Sequence, residues 1–127
     1  MEIIMQANVS FQEADFTEVE YGDLNRDQTV EAFNAIDWNE KVAAFERELI
    51  KTDDCCPPHF LITFGRSYYL SITVEPGQIL VMLSRPTKGY TTSIKKMEEE
   101  CTKATLEEIP GIIRKAFDDF MSLHQSM

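Results

Sequence analysis

The stretch "HFLITFGRSYYLSITVEPGQILVMLSR", residues 59–85, decides how the chain folds. Phe60, Ile62 and Phe64 share one parity. Tyr68, Leu70, Ile72 and Val74 likewise share one face, alternating with Tyr69, Ser71 and Thr73. Period two marks strands with one buried face. Gly65 and Arg66 suit a hairpin between the first two strands. Pro76 is preset for the second position of a turn, and Gly77 is free to take positive φ. "ILVMLSR" is apolar on both faces, which predicts a central strand. Connections this short make the neighbours antiparallel.

Working outward, "TDDCCPPHF" (52–60) enters the first of these strands. It crowds Cys55, Cys56 and His59 with two aspartates and two prolines. A structural zinc site wants separated ligand pairs, and adjacent cysteine side chains diverge. A thiol nucleophile wants a positioned base, but the prolines stiffen the link to His59. Pro57 also forces Cys56 into extended backbone. The reading favoured is a rigid exit from a helix ending near Lys51, with the sulfurs as small apolar filler. A third cysteine, Cys101, and His124 do not complete a metal set, so no metal or other cofactor is expected.

Upstream, "WNEKVAAFERELIK" places Trp38, Val42, Phe45 and Leu49 on one helical stripe. Asp37 with Glu40 forms a capping box, and Asp37 with Lys41 an i, i+4 pair. A shorter helix precedes it, with Asp27 as cap and Val30, Ala32, Phe33 and Ile36 facing inward. "GDLNRD" reads as a loop leading into it. Ile3, Met5, Ala7, Val9 and Phe11 alternate as a half-buried strand, and "FTEVEY" offers a second, with Glu18 and Glu20 on its polar face.

Downstream, residues 90–104 are ambiguous. Thr91, Thr92 and Ile94 favour a strand, whereas Tyr90, Ile94, Met97 and Cys101 sit at helical spacing. The preferred reading is a strand from Tyr90 fraying into the charged run. "TLEEIPGIIRKAFDDFMSLH" closes the chain as a helix starting at Pro110. Thr105 with Glu108 forms its cap, and Ile109, Ile113, Ala116, Phe117 and Phe120 its apolar face. The fold class expected is therefore α+β: an antiparallel sheet of about four to six strands with helices packed on one face. The length of 127 residues suits a single domain, 1–127.

The net charge is −10, and it is unevenly spread. Residues 1–54 hold fourteen acidic and four basic side chains, and residues 55–127 hold eight of each. Nucleic acid is thereby disfavoured as a ligand, because phosphate binding needs clustered Lys and Arg. A basic protein partner is favoured. No segment has the length or apolarity of a membrane helix, and the start resembles no signal peptide. With an odd number of cysteines, the chain is expected in the cytoplasm, away from membranes.

The "IDW" before a helix, the "CPP" before antiparallel strands and "TLEEIPGIIRKAF" in the last helix resemble small α+β immunity proteins of bacterial polymorphic-toxin systems. That resemblance implies an inhibitor that blocks a toxin domain and catalyses nothing. It assigns no residues. From charge alone, the partner-binding candidates are Glu18, Glu20, Asp23, Asp27 and Glu31, on or beside a strand that could be an edge. Two other readings stay open: a small enzyme or ligand-binding domain with a pocket between sheet and helices, and an acidic chaperone or adaptor for an amphipathic helix. The doubly apolar strand also admits a homodimer through an uncovered sheet face.

Overall fold

The computed structural model describes residues 5–52, 54–65, 68–86 and 97–125. Six strands and three helices run in the order β1 (Gln6–Gln12), β2 (Glu18–Asn25), α1 (Arg26–Ala35), α2 (Trp38–Lys51), β3 (His59–Gly65), β4 (Tyr68–Glu75), β5 (Gln78–Pro86), β6 (Met97–Ala104) and α3 (Ile109–Gln125). All strand pairs are antiparallel, in the spatial order β2-β1-β3-β4-β5-β6. The expected α+β class is present, with six strands. Ile3, Asp53, the Arg66 corner of the first hairpin and residues 90–96 lie outside the described residues.

Alternation is what builds the core. Val9 and Phe11 lie opposite Ile62 and Phe60, and these lie opposite Leu70 and Ile72. All six are buried, on one face of the sheet. Ile79 and Val81 continue that face into β5. Onto it pack Val30 and Phe33 of α1, Trp38 of α2, and Ile109, Ile113, Ala116 and Phe117 of α3. The Pro76–Gly77 corner closes β4 onto β5 with Glu75 opposite Gln78, and Gly77 takes φ +79°. That is the left-handed region that a type II turn needs at this position.

Two aromatic clusters tie the helices down. Phe33 and Trp38 surround Phe60, with ring centroids 5.4 and 6.5 Å from it. Trp38 Nε1 also donates to the carbonyl of Phe33 at 3.1 Å, which locks the corner between α1 and α2. At the other end Phe64 meets Phe117 and Phe120 of α3.

Several local expectations are corrected. "GDLNRD" is not a loop: residues 22–25 are the second half of β2, and Arg26 and Asp27 open α1. A bulge opposite Val9 and Ser10 carries the strand past Gly22, whose φ is +80°. Asn25, not Asp27, caps α1: its side chain accepts from Gln28 N–H, and Gln28 reaches back to Asn25 N–H. Asp27 sits in the first turn, where its charge suits the helix dipole. Asp37 does cap α2, but Glu40 turns to Arg47 rather than back to the cap. Lys41 pairs with Glu13 of the β1–β2 hairpin, not with Asp37. Leu49 is half exposed, so the apolar stripe of α2 is not buried to its end. Of the ambiguous stretch, the charged run itself is the strand: Met97–Ala104 pairs along the whole of β5. This makes β5 an inner strand beside an edge, not the middle of the sheet. Thr105 and Glu108 brace a lead-in turn to α3, with the Glu108 carboxylate accepting from the Thr105 N–H and hydroxyl.

One buried polar group breaks the pattern. Ser84 is fully buried, and its hydroxyl finds no hydrogen-bond partner among the described residues. An unsatisfied buried hydroxyl is destabilising. Ser84→Ala is therefore expected to stabilise the fold by about 1 kcal/mol. Urea unfolding should show a higher midpoint at unchanged slope, and a lower midpoint would mean the hydroxyl is satisfied.

Candidate partner-binding edge

The cysteine stretch has a definite structural role. α2 ends at Lys51 and β3 begins at His59, so the stretch connects that helix to that strand, as expected. They also reach sideways. The Cys56 N–H donates to the carbonyl of Ala14 at 3.2 Å, and its thiol lies 3.7 Å from the carbonyl of Glu13. Pro58 is buried, and its carbonyl accepts from Val74 N–H, adding a rung to the β3–β4 ladder. Cys56 thus braces the hairpin that joins β1 to β2.

The surroundings of Cys56 favour its neutral thiol. Burial, reinforced by the neighbouring Cys55 thiol and by Asp15, pushes the Cys56 pKa above its usual 9.0. The thiolate is the nucleophile, so this upward shift lowers the reactivity of Cys56 at neutral pH. Among the described residues no group of three or more His, Cys, Asp or Glu is placed to hold a metal ion. The His124 side chain is outside them. Alkylation by iodoacetamide at pH 7.5, followed by peptide mapping, should label exposed Cys101 well before half-buried Cys56. Raising the pH towards 10 should speed Cys56 markedly, since burial has moved its titration upward. Prompt labelling of Cys56 at neutral pH would mean an activated thiol.

The acidic candidates fall into two groups. Glu18, Glu20 and Asp23 lie on β2, an edge strand with one flank free of any described strand. Their direct partners on β1 are Gln12, Ser10 and Asn8. Those three alternate with buried Ala7, Val9 and Phe11, so they face away from the helices. All three carboxylates therefore share the face opposite the described helices, at one rim. The bulge makes this possible. Without the extra residue at Tyr21–Gly22, Asp23 would fall on the opposite face from Glu18 and Glu20. Tyr21 meanwhile turns inward, its ring 6.2 Å from that of Phe60. Glu18, Glu20 and Asp23 are exposed and form no ion pair among the described residues.

Asp27 and Glu31 stand apart, on the exposed side of α1 in the helix layer. Asp27 lies 3.6 Å from the Arg26 guanidinium, which also holds Asp118 of α3 at 3.0 Å. The five candidates do not form a single patch.

Sequence reasoning overlooked the hairpin tip between the two strands. Asp15 and Phe16 project there, and the Asp15 carboxylate accepts from the Thr17 N–H at 3.0 Å. Bonds from the Thr17 hydroxyl and N–H hold the Asp15 carboxyl below the usual carboxylate range. The signal was present in "EADFT", where an acidic residue precedes a threonine by two, the spacing of an Asx turn.

A cavity of about 260 Å³ opens at the α1–α2 corner, lined by Phe33, Asn34, Ile36, Asp37, Trp38, Asn39 and Leu106. Its one titratable group, Asp37, already caps α2. The far side of the sheet carries half-buried Leu61, Leu80 and Met82. No described helix is long and apolar enough to cross a membrane. No protein-family model matches the chain, and no curated protein or solved structure matches it either.

Proposed function

We propose that this chain is a non-enzymatic binding domain that docks a basic protein through the β2 edge and, working in the cytoplasm, neutralises a toxin domain as immunity-type inhibitors do. The observation that carries the reading is the grouping of Glu18, Glu20 and Asp23 on one rim, exposed and in no ion pair among the described residues. Unscreened carboxylates on a rigid strand steer a cationic surface and set its orientation. The same charge repels phosphate. An edge strand supplies free backbone groups beside those charges, and a partner's extended segment would pair with them. The corner cavity lacks a second reactive group, so it offers no comparable support for an enzyme. The exposed flank of α1 is too divided in charge to favour an adaptor for an amphipathic helix.

The test is capture on the immobilised full chain, identification of what is retained, and rebinding to purified protein. A basic protein should be retained at low salt and released as salt rises. Co-expression of this chain should then relieve the growth arrest that the captured protein causes. Retention of only neutral or acidic proteins, or binding indifferent to charge reversal at Glu18, Glu20 and Asp23, would overturn the reading. A basic but harmless partner would remove the neutralising role and leave the docking one.

A further inference from the structure

We propose that Phe16 is the anchor of this edge, seating its ring in an apolar pocket whose rim carries lysines and arginines on the basic partner. The inference rests on the binding reading above and gives it a centre.

Phe16 is out of place by local rules. The hairpin closes through Glu13 N–H to the Thr17 carbonyl at 2.8 Å and Phe16 N–H to the Glu13 carbonyl at 3.0 Å. This is a three-residue loop whose last position must be left-handed, and Phe16 takes φ +69° there. Glycine or asparagine fits such a position, while a residue with a bulky side chain meets its own backbone. Burial offsets the strain only in part, because Phe16 is 47% exposed. An aromatic side chain that is both strained and left partly in water points to a use outside the folding of this chain.

The tip is also held still. Ala14 is buried, Cys56 binds the carbonyls of Ala14 and Glu13, and Lys41 pairs with the Glu13 carboxylate. Asp15 is tied to Thr17. The ring is therefore presented from a rigid base, and little freedom remains to be lost on docking. Its surroundings name the partner's chemistry. Val19, three residues on, is 40% exposed, and Asp15, Glu18 and Glu20 are exposed carboxylates of the same hairpin. An exposed aromatic residue with exposed carboxylates on the same hairpin fits an apolar pocket flanked by cations.

The test uses the full chain as wild type, Phe16→Gly, Phe16→Asn and Ile50→Ser, the last altering an 87% exposed apolar residue on α2. The probe is the basic protein that the wild-type chain retains, with affinity measured by calorimetry and folding by urea titration. Phe16→Gly and Phe16→Asn should fold as well as wild type, or up to about fivefold better in equilibrium constant. They should bind about thirtyfold or more weakly, while Ile50→Ser binds as wild type. If both Phe16 variants bind within about threefold of wild type while charge reversal on β2 abolishes binding, the anchor is overturned and the edge stands. If both variants lose stability, the ring serves the fold and the anchor is likewise overturned. If no basic protein is retained at all, the edge falls and the anchor with it.

Discussion

Replacing Phe60 with alanine is expected to lower the unfolding free energy by about 3–5 kcal/mol. Phe60 is completely buried in the middle of the sheet. Its strand neighbours are Phe11 and Ile72, and Phe33, Trp38 and Tyr21 cover it from α1, α2 and β2. Deleting the ring loses its transfer free energy and leaves a cavity that three other rings cannot collapse into without tilting. Domains of this size are stable by about 5–15 kcal/mol, so the variant should unfold at much lower urea. Leu61→Ala, one residue away on the face opposite the described helices and only half-buried, should cost clearly less. Equal losses at the two positions would mean that both faces of β3 are covered alike.

Reversing Glu18, Glu20 and Asp23 together to lysine is expected to slow association with the basic partner by about tenfold to a thousandfold at low salt. These groups are exposed and in no ion pair among the described residues, so their main work is at a distance, during encounter. Dissociation should change less, and the salt dependence of the association rate should flatten or invert. Surface positions without local partners tolerate substitution within about 0.5 kcal/mol each, so the triple variant should remain folded. Stopped-flow rates at several salt concentrations check this. Reversal of Asp27 and Glu31 should matter less, since they sit in the helix layer and Asp27 is already neighboured by Arg26. An association rate unmoved by the triple change would rule out steering by this edge.

Much of the fold was legible because its signals are local. The alternation of Phe60, Ile62, Phe64, Leu70, Ile72 and Val74 needs no partner to be read, and each of these side chains is buried. Pro76–Gly77 turned where its chemistry requires. The apolar stripe of α3 was visible in the spacing of Ile109, Ile113, Ala116 and Phe117. The misreadings came where local propensity yielded to a neighbour. Glu98, Glu99 and Glu100 have weak strand preference, yet β5 offers an open ladder, and backbone pairing from Met97 to Ala104 took them in. Lys41 had a good intrahelical partner in Asp37 but found Glu13 across the hairpin. Leu49 fitted the helical stripe, but a stripe records periodicity and not how far along it burial extends.

For the site, the sequence by itself determined that the negative charge would gather in the first half of the chain and that "FTEVEY" would put Glu18 and Glu20 on one side of a strand. Side-chain period two is a property of a single extended chain. Only the tertiary structure decided that Asp23 joins them, that β2 lies at an edge, and that Cys56 steadies the tip bearing Phe16. A bulge exists only relative to the strand it is paired with. The register of β1 against β2, not the letters of either, brings three carboxylates to one rim.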